Sequence, residues 1–277
     1  MIANRILLFL LLIGSWLTAG PIPDATRVYK TVNGRQLRID IFYPSESRSR
    51  QKIPTILFFH GGGWIKGSPK QFYKFCDVLS QRGLICMSAE YRLKRRDGAT
   101  PAESLADAKS AMRWVKSHSV ELHVDADKIA AGGGSAGGQL AAALATAKGF
   151  DDPGDDLSVS TVPNALILLN PVLDNGPGGY GYRRVRSYWR AFSPLENVDA
   201  HVPDTLIMVG TRDRLVPVET VKLFAQRLQK YGKYAKVVTF PGEHHGFFNR
   251  PRNFDAVMEQ IWSFLLHEGF VPRSAKK

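Results

Sequence analysis

Seven consecutive small residues, Gly132-Gly133-Gly134-Ser135-Ala136-Gly137-Gly138, join the apolar run Lys128 to Ala131 to the alanine-rich, helix-forming stretch Gln139 to Ala147. Few folds accept such a junction. A strand that turns at once into a helix leaves no room for side chains beside the turning residue, so Gly133-x-Ser135-x-Gly137 marks a sharp turn that holds a serine hydroxyl above a strand end. The helix start beyond it offers an unpaired backbone N–H and a positive dipole end where negative charge develops. A glycine-rich turn can also cradle phosphate. Here the Lys-Ser/Thr pair of a nucleotide loop does not follow, and a dinucleotide fingerprint belongs to a first strand-helix unit.

The rest of the chain has the rhythm this turn requires. Ile56 to Phe59, Leu84 to Ala89, Lys128 to Ala131, Ala165 to Leu169, Thr205 to Val209 and Lys236 to Phe240 are short apolar runs suited to strands buried on both faces. Helix-length patterns separate most of them. Leu105, Ala108, Met112 and Val115 share one helical face, as do Phe254, Val257, Met258, Ile261, Trp262 and Leu265. Before them, Arg27 to Thr31 and Gln36 to Tyr43 flank Asn33-Gly34, the signature of a β-hairpin. These elements predict an α/β fold: a mainly parallel sheet covered by helices on both faces, with an antiparallel N-terminal hairpin at its edge.

Three segments bear on Ser135. The strand Ile56 to Phe59 runs into His60-Gly61-Gly62-Gly63-Trp64, whose bare backbone N–H groups suit an oxyanion hole completed by Ala136. Gly62 and Gly63 are the expected donors, with Gly61 as the alternative and His60 in a structural role. Asp213 follows the strand Thr205 to Val209. The strand Lys236 to Phe240 leads to Pro241-Gly242-Glu243-His244-His245-Gly246-Phe247. An acid and an imidazole are thus delivered to the strand ends where open α/β sheets bind ligands. Adjacent side chains diverge, so one histidine reaches Ser135; we assign His245, with His244 as the alternative. Neighbouring histidines do not readily share an ion and no third ligand stands at metal-site spacing, so neither a metal nor a cofactor is expected.

The His60-to-Trp64 segment, the Gly133-to-Gly138 turn, the Asp213 loop and His245-Gly246-Phe247 together resemble the α/β-hydrolase esterases of the hormone-sensitive-lipase-like group. The resemblance is greatest to compact secreted bacterial members, which are carboxylesterases or carbohydrate acetyl esterases, and runs from Arg27 to Leu266. It implies Ser135 as nucleophile, His245 as general base and acid, Asp213 as orienting acid, and Gly62, Gly63 and Ala136 as oxyanion donors. Two departures are visible. The group often carries aspartate immediately before the serine, where this chain has Gly134. The few residues from Gly20 to Thr26 leave no room for a helical N-terminal cap, so only the insertion from Asp174 to Ala200 is placed to cover the site. Trp64 and, within that insertion, Tyr180 are the expected substrate contacts.

The resulting expectation is a serine hydrolase of short-chain, above all acetyl, esters, with a small molecule or a carbohydrate as the ester. A peptidase of the same fold and a catalytically inactive, hydrolase-like binding protein are the alternatives. Composition adds where the chain acts. Arg5 precedes the apolar run Ile6 to Leu17, followed by Thr18-Ala19-Gly20-Pro21. That pattern predicts a signal peptide over 1–19, a single domain over 20–277, and a secreted or periplasmic protein without stable membrane insertion. The formal charge of +12 favours anionic surroundings; with no nucleic-acid motif it does not argue for nucleic acid. Arg92, Lys94, Arg95 and Arg96, with Arg183, Arg184, Arg186 and Arg190, follow strand ends and are candidates to rim the cleft and attract acidic glycans. The acidic run Asp151 to Asp156 lacks calcium-ligand spacing and reads as a solvated turn. Cys76 and Cys86 are expected as small buried hydrophobes, with pairing between a helix and the following strand as the alternative.

Overall fold

The computed structural model describes residues 20–45 and 52–272; the leader expected over 1–19 lies outside them. The hairpin forms as β1 (Ala25–Val32) and β2 (Arg35–Phe42), with Asn33 and Gly34 at φ of 50° and 76°, the left-handed pair that a tight hairpin turn demands. Six further strands follow: β3 (Ile53–Phe59), β4 (Ile85–Ala89), β5 (Val124–Gly134), β6 (Ala165–Leu169), β7 (Thr205–Gly210) and β8 (Ala235–Phe240). Their order is β1-β2-β4-β3-β5-β6-β7-β8, antiparallel through β1, β2 and β4 and parallel from β4 to β8.

Helices cover both faces: α1 (Tyr73–Gln81), the short α2 (Lys94–Asp97), α3 (Pro101–Ser117), α4 (Ala136–Thr146), the short α5 (Tyr182–Val185) and α6 (Trp189–Phe192), α7 (Val218–Gln229) and α8 (Pro251–His267). Alternation along the strands sorts the interior into two cores. Leu57 and Phe59 of β3 join the core under α3, α4 and α7, while Ile56 and Phe58 join the one under α1 and α8. The sheet is therefore apolar on both faces, which fixes its register and makes its strand ends a rigid platform.

Two expectations need correction. Helix α4 begins at Ala136 rather than Gln139, because Gly137 and Gly138 are kept helical by close packing despite their poor propensity. The acidic run is no solvated turn. Asp151 and Asp155 bind Arg113 at 2.7 and 2.8 Å, Asp151 also binds Lys109, and Asp152 binds Lys30 at 2.6 Å. Lys109 and Arg113 stand four apart on α3 and are buried, so their charges require carboxylate partners that only a docked loop supplies. Cys76 on α1 and Cys86 on β4 are both fully buried free thiols, their sulfurs 2.6 Å apart.

Candidate active site

Strand β5 ends at Gly134, and Ser135 adopts φ 56°, ψ −118°, a conformation strained for any residue with a Cβ. Neighbouring backbone holds it there. The Ser135 N–H donates to the Leu169 carbonyl at 2.9 Å, and the Ser135 carbonyl accepts from Gln139 and Val172 at 3.0 and 3.1 Å. A Cβ on Gly137 would lie 2.0 Å from the Phe59 carbonyl oxygen, so only glycine lets α4 come this close to β3. The departure at Gly134 also has a cause: a Cβ there would lie 2.3 Å from the Phe248 ring, which fills the space an aspartate would need.

His245 stands between Ser135 and Asp213. Its Nδ1 is 2.8 Å from Asp213 Oδ2 and its Nε2 is 2.8 Å from Ser135 Oγ. A carboxylate only accepts, so Nδ1 carries the proton and Nε2 is left to accept the serine O–H. The other carboxylate oxygen of Asp213 accepts the Leu215 and Val216 N–H groups, both at 2.9 Å, which fixes the buried side chain in rotation. His244 instead faces solvent, with Nδ1 3.1 Å from the Arg212 carbonyl. Glu243 is held by Arg250 and Arg252 at 2.8 and 2.6 Å, away from His245.

The loop after β3 supplies donors by fixing its carbonyls. Burial pushes the pKa of His60 down to about 4, so the ring is neutral near pH 7, and Nδ1–H donates to the Gly61 carbonyl at 2.7 Å. The Gly62 carbonyl accepts from Ile65 and Lys66 at 3.1 and 3.2 Å. In a trans peptide the following N–H points the opposite way, so the N–H groups of Gly62 and Gly63 face away from these anchors. Neither has a protein acceptor among the described residues. Gly61 is not a free donor, because its N–H already donates to Gln71 Oε1 at 2.6 Å. Gly62 has φ 116°, and a Cβ on it would lie 1.8 Å from the Lys66 carbonyl oxygen. Ala136 opens α4, its N–H belonging to the unpaired first turn. The group can thus generate a serine nucleophile and bind an oxyanion.

A cleft of about 320 Å³ opens in front of Ser135 and His245, bordered by Ile65, Lys66, Tyr180, Leu215 and Phe248. Tyr180 lies where expected. Trp64 does not: it is 1% exposed, donates from Nε1 to Gln139 and packs on Phe192, because positive φ at Gly63 and Trp64 turns its indole inward. Three members of the arginine clusters are committed elsewhere, while Arg183, Arg186 and Arg190 are exposed. Arg92 pairs with Asp107 and Glu103, Arg96 with Glu90 and Asp97, and Arg184 donates to the Gly63 carbonyl. Among the described residues, Lys66 is the Lys or Arg side chain that borders the cleft.

Three lining residues escape sequence reasoning. Gln71 Nε2 donates to Asn249 Oδ1 at 3.1 Å and Asn249 Nδ2 to the Gly246 carbonyl at 3.2 Å, a polar strap from the oxyanion loop to the His245 loop. No local signal pairs residues so far apart. Asn170, fully buried at φ 37°, accepts the Gly246 N–H at 3.2 Å; its place directly after β6 at the same sheet end was the available clue.

A family model described as the alpha/beta hydrolase fold matches residues 56–249. Among solved structures, esterase 2 of Thermogutta terrifontis phosphoramylated by tabun is 39% identical, with a TM-score of 0.86 over 90% of this chain and 96% of that one. The propionate-bound Est2 structure from the same species is 38% identical, with a TM-score of 0.85 over 90% and 96%. Esterase LipC of Mycobacterium tuberculosis is 26% identical over 226 residues, 70% of this chain and 53% of LipC. The chain spans about half the length of the curated relatives it matches.

Proposed function

From the premise that the chain belongs to the alpha/beta hydrolase family, we propose that it is a carboxylic ester hydrolase acting through an acyl-enzyme. The observation that carries the reading is His245, 2.8 Å from both Ser135 Oγ and Asp213 Oδ2. Ser135 Oγ attacks the ester carbonyl as His245 Nε2 takes its proton. Asp213 keeps Nδ1 protonated and stabilises the imidazolium, and the N–H groups of Gly62, Gly63 and Ala136 bind the oxyanion. Collapse expels the alcohol, which receives the proton from His245. Water, deprotonated by the same nitrogen, then attacks the acyl-serine, and the carboxylic acid leaves. Each step uses only the chain's own groups and water.

The preferred acyl groups are acetyl to butyryl. A cleft of about 320 Å³ bordered by Ile65, Tyr180, Leu215 and Phe248 offers a short apolar surface, and a relative holds propionate. The alcohol is a hydroxylated one, carbohydrate included, because Gln71, Asn249 and Lys66 give one side of the cleft hydrogen-bonding and cationic character. Export is part of the reading and rests on the leader at 1–19. Among the described residues no helix is long and apolar enough to cross a membrane.

The test is a panel of aryl esters from acetate to palmitate, acetylated sugars and an aryl amide. Highest kcat/KM on acetyl to butyryl esters is expected. Faster palmitoyl hydrolysis overturns the acyl assignment, and faster amide cleavage overturns the ester reading.

A further inference from the structure

His245 is carried by a loop, and its ring is held on the acid side by one bond. The side chain is 23% exposed, and Nδ1 meets Asp213 Oδ2 at 2.8 Å. A single bond to a ring sets a distance and lets the ring swing about it, so the place of Nε2 over Ser135 depends also on where the backbone holds the His245 Cα. The next residue makes that backbone soft: Gly246 has φ 77°, and glycine enters and leaves this region at little cost.

Two asparagines hold the peptides on either side of Gly246. Asn249 donates from its N–H and from Nδ2 to the Gly246 carbonyl, at 3.0 and 3.2 Å. Asn170, directly after β6, accepts the Gly246 N–H at 3.2 Å. That N–H shares a peptide plane with the His245 carbonyl, so the bond fixes the plane attached to the His245 Cα. Among the described residues no other hydrogen bond reaches this plane.

The peptide before Asn170 holds the nucleophile. Its carbonyl, that of Leu169, accepts the Ser135 N–H at 2.9 Å, and its N–H, that of Asn170, donates to the Met208 carbonyl of β7 at 2.7 Å. One residue therefore joins the peptide that holds Ser135 to the peptide that follows His245. Packing does not account for an asparagine there. Asn170 is fully buried and its Nδ2 has no hydrogen-bond partner among the described residues, which makes the amide costlier than an apolar side chain of its size. Its oxygen is the part that is used.

We propose that Asn170 is a positioning residue that registers His245 on Ser135 by holding the Gly246 N–H. It acts through the backbone and does not touch the reacting atoms. This inference rests on the ester-hydrolase reading and on His245 as its base.

The experiment measures kcat and KM on an activated aryl acetate, and Tm, for wild type, Asn170→Ala, Asn170→Asp, His245→Ala and the Asn170→Ala/His245→Ala double variant. A displaced base costs turnover rather than binding, so kcat in Asn170→Ala should fall about 10- to 100-fold with KM within about twofold. Asn170→Asp keeps an oxygen for the Gly246 N–H and should recover part of the loss. With the imidazole already removed there is nothing left to position, so the double variant should match His245→Ala within about twofold. If Asn170→Ala does not fold, Asn170→Ser, whose hydroxyl stops short of Gly246, decides by the same comparisons. Unchanged kcat, a rise in KM alone, an Asn170→Asp enzyme no better than Asn170→Ala, or the full loss repeated in the His245→Ala background each overturns the proposal, whatever happens to Tm. A wild type that does not hydrolyse the acetate fails instead at the ester-hydrolase reading, and a fully active His245→Ala at the assignment of the base; the proposal falls with either.

Discussion

Replacing Asp213 by asparagine changes one atom of the side chain, and the structure specifies what that does. Oδ1 of Asp213 accepts two backbone N–H groups, from Leu215 and Val216, both at 2.9 Å. An asparagine must keep its carbonyl oxygen there, since its NH2 would otherwise face two donors with no acceptor. The NH2 is then forced toward His245 Nδ1, where the carboxylate oxygen stood at 2.8 Å. Nδ1 must become an acceptor, so the ring takes the Nε2–H tautomer and points a proton at Ser135. That histidine cannot act as base. In serine hydrolases an equivalent change costs roughly 10⁴ in kcat, or ~5 kcal/mol of transition-state stabilisation. Initial rates on an aryl acetate, with thermal unfolding to show an intact fold, measure it. A folded Asp213→Asn enzyme within about tenfold of wild type would refute the tautomer argument.

Three other outcomes follow from the same geometry. His245→Ala should lose activity by a factor similar to Ser135→Ala, as members of one catalytic unit do, whereas His244→Ala should retain most of it because His244 faces solvent beside the Arg212 carbonyl; the reverse result in ester assays moves the base. His60 is neutral in the folded chain down to about pH 4, while the unfolded chain takes up the proton near pH 6.5, so stability should fall by about 3 kcal/mol as pH drops through that window and level off below it; urea titrations of wild type and His60→Asn at several pH values should show a shallower fall in the variant. With Lys66 the Lys or Arg side chain bordering the cleft among the described residues, kcat/KM on a carboxylate-bearing acetate ester should respond to salt between about 0.01 and 0.15 M only a few-fold more than on a neutral one; a much steeper dependence would return the exposed arginines to substrate recruitment.

What was legible in the sequence is what local backbone demands impose. The Asn33-Gly34 turn, the alternating strands and the glycine-flanked Ser135 each require particular residues at particular offsets, so fold class and the Ser135, Asp213 and His245 positions could be read from one chain. Contacts between distant segments leave no such mark. Trp64 reads as a substrate contact beside a glycine loop until the positive φ at Gly63 and Trp64 turns it onto Phe192. Asp151 and Asp155 look solvated until α3 is seen to bury Lys109 and Arg113 beneath them. Gln71, Asn170 and Asn249 acquire roles only once β3, β6 and β8 bring their loops to one sheet end. The Arg184 contact with Gly63 is of the same kind.

The central claim is that Ser135 Oγ is the nucleophile that carries the acyl group, and mass spectrometry of the intact protein after reaction with a fluorophosphonate, followed by peptide mapping, addresses it most directly. The account predicts one adduct per chain, on the peptide carrying Ser135, with loss of esterase activity in proportion to labelling and no adduct in a folded Ser135→Ala variant. An active enzyme that resists labelling, or an adduct on another residue that abolishes activity, would contradict it.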